Sequence, residues 1–368
     1  MSERLDGLRV LTISAYDAEP ALYWQHRFRD MFPGAQWTHI GLQPDHFSWR
    51  VRGNALRLAH HYADELGRGY DLIIVTSLVD LATLRGLAPK IIATPTLVYF
   101  YENPFSYSEN NRSYGASDAQ MTAMYTALAS DQCIFNSRHN LSSFMSGIAA
   151  MVDKMPEEFP PGLVQQLLAK SVEIPLPLAE DMFADAQPAS EQGSLRILWN
   201  HRWGFDKGPE RLLAFVKKLD QSDLDAKLVL TGYRTQQIPL SMAEVENNHG
   251  RRIALSQYES DRQRYRARMA NADVVLSTSR HDFQGIDVME AAAMQCVPLL
   301  PDRLSYPEFF PDLPRYHSTP DIDNEANNAV ALLRQWRDGG FPPAPDMTPY
   351  RIAALEQRYE AVIDSMLP

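Results

Sequence analysis

The chain has 368 residues, a formal charge of −11 and a hydrophobic fraction of 45%. At roughly 150 residues per domain this predicts two domains, each with enough apolar material for a core, and it excludes intrinsic disorder. The acidic balance works against a broad, sequence-independent nucleic-acid surface, because such a surface depends on many Lys and Arg contacts to phosphates. A local basic patch stays open.

No stretch approaches the roughly 18 uncharged apolar residues of a membrane span. The first apolar run, Leu8 to Ile13, is far shorter, follows Glu3, Arg4 and Asp6, and lacks a cleavage-site pattern. The expected compartment is the cytosol, with no membrane partner. Cys133 and Cys296 are the two cysteines and lie far apart, which argues against a disulfide framework and a structural zinc. Both are expected as small buried residues.

In chain order, apolar runs at Leu8–Ser14, Trp37–Ile40, Leu72–Thr76, Thr96–Tyr101 and Cys133–Asn136 alternate with helical patterns, which predicts an α/β domain over residues 1–176. A weakly apolar segment carrying Pro177, Pro188, Ser190 and Gly193 predicts a linker over 177–193. A second series of strands, Leu195–Asn200, Lys227–Thr231, Arg252–Ser256, Val274–Thr278 and Val297–Pro301, predicts another Rossmann-like domain over 194–345. Within 346–368, Thr348-Pro349 reads as the start of a helix with one apolar face made by Ile352, Leu355, Tyr359, Val362 and Met366.

Ligands of open α/β sheets bind beyond the carboxyl ends of the strands, so the residues following each strand are the candidates. After Leu195–Asn200, Arg202 and Lys207 flank a helix predicted to start at Gly208-Pro209, where free N–H groups and the helix dipole favour an anion such as a diphosphate. The competing reading is two solvated cations near a cap. After Val274–Thr278 come Asp282 and Glu290; placed on a helix they would lie roughly 12 Å apart, too far for a catalytic carboxylate pair. They could instead hold two hydroxyl-bearing ends of one extended ligand, with a diphosphate between them near Gly285. Otherwise Asp282 is a helix cap and Glu290 an ordinary acid.

In the first half, Thr96–Tyr101 runs into Glu102-Asn103-Pro104-Phe105-Ser106-Tyr107, a composition that suits either a site or a turn. Between Trp24 and Arg57, five arginines stand against Asp30 and Asp45, a local charge of +3, with Trp24, Trp37 and Trp49 interleaved. Such a pattern can bind nucleic acid by phosphate contact and base stacking, or can be mixed surface and core.

The arrangement Arg202…Lys207-Gly208 followed by Asp282–x7–Glu290 resembles the donor signature of family-four retaining glycosyltransferases. The strings Trp199-Asn200-His201-Arg202-Trp203, His281-Asp282-Phe283…Gly285 and Leu304-Ser305-Tyr306-Pro307-Glu308 are similar to the tRNA-queuosine mannosyltransferase group. So are Ser14-Ala15-Tyr16-Asp17, His46 through Asn54, Thr76 through Leu81, and Asn136-Ser137. The resemblance implies a GT-B fold: two Rossmann-like domains facing a cleft, with the last helix crossing back to the first. It implies transfer of mannose from GDP-mannose to queuosine in tRNA, with retention and without a metal or other cofactor. Arg202 and Lys207 would hold the diphosphate; Asp282, Phe283, Gly285, Ile286 and Glu290 would complete the donor site. Tyr101, Glu102 and Asn103 would join Arg202 and Lys207 at the reaction centre. Tyr16, Asp17, Trp49, Arg50, Arg52 and Asn54 would meet the acceptor. The chain departs from the group at Pro20-Ala21 and at Tyr101, where histidines are usual, and carries Gln284 and Asp287 where bulkier or apolar residues are common. The alternatives are a different acceptor and a nucleotide-sugar-binding protein without turnover.

Overall fold

The computed structural model describes residues 5–106, 116–156, 158–183, 193–235 and 237–367. It divides into two compact units, one formed by residues 1–177 with 352–368 and the other by residues 178–351. Tyr107 and residues 184–192 of the expected linker lie outside the described residues.

The first unit is built on a six-stranded sheet of β1 (Arg9–Ser14), β2 (Gln36–Gly41), β3 (Leu72–Thr76), β4 (Thr96–Phe100), β5 (Gln132–Phe135) and β6 (Ser171–Glu173), in the order β2-β1-β3-β4-β5-β6. All neighbours are parallel. Parallel strands need crossover connections whose helices cover the sheet, so central strands are apolar throughout: every residue of β3 and β4 is buried. The order reverses between β1 and β3. Strand ends on either side of such a reversal leave a crevice, which makes the loop after β1 the favoured ligand position.

The second unit carries β7 (Leu195–Trp199), β8 (Ala226–Leu230), β9 (Ile253–Ser256), β10 (Val274–Leu276) and β11 (Val297–Leu299), parallel and in the order β11-β10-β7-β8-β9. Its reversal falls between β7 and β10. The chain leaving β7 carries Arg202 and Lys207, and the chain leaving β10 carries Asp282.

All ten expected strands form, and β6 is one the periodicity did not predict. Three details differ from expectation. Thr348-Pro349 opens a short 3₁₀ turn, its threonine bonded to Asp346, and the α-helix begins at Ile352. Its buried face is Leu355, Tyr359 and Ile363 rather than Val362 and Met366, which are half-buried. The predicted linker, finally, enters the core of the second unit at once, through buried Leu178, Ala179 and Met182. Cys133 and Cys296 are free and buried.

Candidate functional site

In the second unit, β7 ends in a loop closed by Gly208, whose φ of +64° and position before Pro209 start the helix Pro209–Asp220. A Cβ at Gly208 would stand 2.2 Å from the Thr278 carbonyl oxygen, so the loop after β7 touches the loop after β10 directly, an approach that glycine permits. Two further bonds join these loops. The Thr278 hydroxyl donates to the Lys207 carbonyl at 2.8 Å, and the backbone N–H groups of Arg280 and His281 both donate to the Asp206 carbonyl, at 2.8 and 3.1 Å.

That contact brings Lys207 Nζ to 2.9 Å from Asp282 Oδ2. The other Asp282 oxygen accepts the Gly285 N–H at 2.8 Å, one residue before the helix Ile286–Ala293. Asp282 therefore lies in the loop and not on the helix, and the 12 Å helical separation from Glu290 does not apply. Burial opposes a charge on Lys207, but Asp282, Asp287 and Asp206 outweigh it and hold the amine well above its usual range. The group is a fixed ammonium at the switch point. Arg202, half-exposed, pairs with Asp206 at 2.8 Å, so each cation of the loop has its own carboxylate. Glu290 is buried, 3.4 Å from Arg262, which also grips Asp181 with two bonds of 2.9 Å. Phe283 is buried, Ile286 half-buried, and a Cβ on Gly285 would meet the Tyr306 ring at 2.9 Å.

Behind Asp282 runs a buried polar chain that sequence patterns do not announce. Tyr306 OH donates to Asp282 Oδ2 at 3.3 Å and lies 2.6 Å from Ser277 Oγ. Ser277 Oγ is 3.1 Å from His201 Nε2, and His201 Nδ1 bonds Asp287 Oδ2. A carboxylate can only accept, so Nδ1 carries the proton. Burial alone would raise the Asp287 carboxyl; His201 and Lys207 reverse this and hold it well below the usual carboxylate range. Asp287, one of the departures from the group, thus has a partner 86 residues earlier in the chain. By spacing, His201, Asp282 and Asp287 could take a metal ion. The Lys207 ammonium already occupies Asp282 Oδ2, however, and a donor set led by a bound cation fits a second cation poorly.

In the first unit the sequence candidates separate into two groups. Asn54 is fully buried; its amide donates to the carbonyls of Arg50, Val51 and Leu78 and its oxygen accepts the Asp80 N–H. Arg50 is buried against Asp45 and the Gln43 carbonyl. Asn103 is buried too, donating to Asn140 and Ser143 and accepting the Phe105 N–H at 3.1 Å. The described bonds of these three side chains hold loops and helices in place. The basic and aromatic segment is likewise divided, with Trp24 in the core and Trp37 bonded to the Phe32 carbonyl.

The second group stays accessible. Trp49 is 78% exposed on the helix Phe47–His61, with Arg52 one turn further on at 3.8 Å from Asp80. Tyr16 packs edge-on against Phe47, and Asp17 follows it beyond β1. Tyr101 is half-buried after β4, and burial, then Glu102 and Asp17, push its phenol well above the usual range, so it is a neutral hydrogen-bond donor.

Two family models match the chain. Residues 9–178 match the tRNA-queuosine alpha-mannosyltransferase N-terminal model, and residues 163–305 match the model for family 4 glycosyltransferases in conflict systems. Among solved structures, HepE of Anabaena with bound UDP superposes with a TM-score of 0.65 at 12% identity, over 97% of this chain and 100% of that one. A UDP-forming trehalose-phosphate synthase from Burkholderia xenovorans gives 0.65 at 15% identity, over 98% and 99%. TarM gives 0.54 at 14% identity over 84% of this chain, which spans 58% of TarM. Two parallel sheets, each with its switch-point loops, and these matches define a glycosyltransferase of the GT-B fold. More particularly, it is similar to the tRNA-queuosine alpha-mannosyltransferase of Drosophila melanogaster, 25% identical over 299 residues, 78% of each chain. Among the described residues no helix is long and apolar enough to cross a membrane.

Proposed function

We propose that the protein transfers mannose from GDP-mannose to queuosine in tRNA, in the cytoplasm, with retention of configuration and without a metal. The observation that carries the reading is the Lys207 ammonium fixed on Asp282 at the switch point of the second sheet, within a chain similar to tRNA-queuosine alpha-mannosyltransferase. In the transfer, the bond from the anomeric carbon to the diphosphate oxygen breaks and a bond to an acceptor hydroxyl oxygen forms on the same face. The hydroxyl proton leaves with the diphosphate. Negative charge grows on the departing diphosphate, and a preorganised ammonium aimed at it stabilises the transition state more than the ground state. Asp282 orients that ammonium, and the buried Glu290 is placed to accept a ribose hydroxyl.

The test is calorimetry with GDP, GDP-mannose and their UDP and ADP counterparts, followed by transfer to queuosine-containing tRNA with and without a chelator. The expected outcome is selective binding of the guanine forms, chelator-insensitive turnover, and a loss of at least about 100-fold in turnover for Lys207→Ala. Wild-type turnover in that variant would remove Lys207 from the mechanism. Tyr101, standing where the group has a histidine, favours a second reading, a protein that binds the nucleotide sugar without turnover. Donor binding with no transfer to any acceptor would establish it.

A further inference from the structure

One carboxylate beside the donor loops has the wrong sign for a diphosphate. Asp287 is the second residue of the helix Ile286–Ala293, at the end where free N–H groups and the helix dipole favour an anion. Its own side chain takes part of that place, because Oδ1 accepts the Val288 N–H at 3.0 Å. Oδ2 is held by Nδ1 of His201, whose other nitrogen is bonded to Ser277. The carboxylate is therefore anchored, yet its side chain keeps 24% of its surface exposed while the imidazole behind it has none.

Asp287 also stands close to the ammonium of the site. One of its oxygens lies within 4.8 Å of an oxygen of Asp282, and Asp282 Oδ2 carries Lys207 Nζ at 2.9 Å. Burial works against the charge on Lys207; among the carboxylates that restore it, Asp282 comes first, Asp287 second and Asp206 third. Asp282 bonds the ammonium directly, and Asp287 acts on it through space.

The charges of the two loops show the consequence. Arg202 and Lys207 after β7 and Arg280 after β10 stand against Asp206, Asp282 and Asp287, so the fixed charges cancel. Arg280, moreover, is turned to Glu210, at 3.4 Å. Without Asp287 the same loops would be net positive, the sign that a diphosphate needs. A like charge a few ångströms from an anion lowers its affinity, the more so where protein rather than water lies between them.

We infer that Asp287 is a tuning residue that weakens the hold of the site on the nucleotide diphosphate, so that the product nucleotide leaves after transfer. The inference rests on the donor reading proposed above. Lys207 and the helix N-terminus attract the diphosphate, Asp287 opposes them, and His201 keeps the opposing charge in place. Equal tightening of donor and product would not speed the chemical step, and slow product release would limit turnover.

The experiment titrates the full-length wild type and Asp287→Asn by calorimetry with whichever of GDP, UDP and ADP the wild type binds best, and with the corresponding nucleoside. Asparagine keeps the size and an oxygen for His201 Nδ1 but removes the charge. The expected result is that the variant binds the diphosphate about threefold or more tightly, with affinity for the uncharged nucleoside unchanged. The sign decides: a side chain that merely supports the fold would weaken binding on its loss, so unchanged or weaker diphosphate affinity overturns the inference. An equal gain for the nucleoside overturns it as well. In turnover assays the variant should be inhibited by the product nucleotide at correspondingly lower concentration, and inhibition at the wild-type concentration counts against the inference in the same way. Should Asp287→Asn fold poorly, Asp287→Ala, apolar as is common at this position in the group, answers the same question, with a melting curve on each sample as the check of folding. A wild type that binds none of the three nucleotides would instead dismiss the donor reading, and this inference with it.

Discussion

At the scale of single residues, Asp282 shows how a motif position and its support differ in visibility. Its carboxylate receives Lys207, the Gly285 N–H and the Tyr306 hydroxyl, and behind Tyr306 stand Ser277, His201 and Asp287. Removing His201 takes a partner from both the Asp287 carboxylate and the Ser277 hydroxyl, so His201→Ala should destabilise the protein by about 1–3 kcal/mol in denaturant unfolding. Combined with Asp287→Asn, it should cost clearly less than the sum of the two single changes, because the penalty is one shared penalty. Strict additivity would show that the two side chains do not act together. Lys207 and Asp282 were legible in the sequence because they sit at fixed offsets from strand ends and helix starts. His201 with Asp287, and Asp17 with His39, were not, since each pair joins residues far apart in sequence and no spacing rule links a side chain to a partner on another element. The burial of Arg50 and Asn54 was hidden for a related reason: they lie one helical turn apart, and nothing in their identity says that this face looks inward.

At the scale of elements, the site depends on two loops in van der Waals contact, and Gly208 is where that contact is tightest. Its left-handed backbone and the 2.2 Å approach to the Thr278 carbonyl act together, so Gly208→Ala meets strain and a clash at once. The expected cost is more than about 1 kcal/mol in stability. It should come with weaker nucleotide binding, because the displaced loop carries Lys207 away from Asp282; a melting curve and a nucleotide titration on the same sample check both. Unchanged affinity in a destabilised variant would show that the loop contact serves folding alone. The strands themselves were readable because parallel strands buried on both faces appear as short uninterrupted apolar runs. β6 escaped because Ser171–Glu173 is half-buried throughout and follows the helix Leu163–Ala169 almost directly. The last helix starts three residues later than Thr348-Pro349 suggests, because that pair mimics a helix start but spends the threonine hydroxyl on Asp346.

At the scale of the whole molecule, the N-terminal unit is made from two pieces of chain. The helix Ile352–Asp364 contributes Tyr359, fully buried, whose hydroxyl donates to the carbonyls of Ile174 and Pro175 at 3.1 and 3.0 Å and whose ring lies 5.0 Å from Phe28, edge to face. Tyr359→Ala should therefore cost about 3–5 kcal/mol, with amide exchange rising across the first sheet rather than the second. Exchange confined to the second sheet would contradict this assignment of the helix. The sequence announced the helix and one buried face, but which unit receives that face depends on contacts with residues some 180 positions earlier. Synthesis on the ribosome gives this arrangement a temporal meaning. The second unit, residues 178–351, is contiguous and can complete its core as soon as it has emerged, whereas the unit that begins the chain waits for a helix made after all of it. For this protein the usual order of birth is inverted: the part translated first is the last to mature, and until then its unfilled slot beside Phe28 is exposed to whatever the growing chain meets.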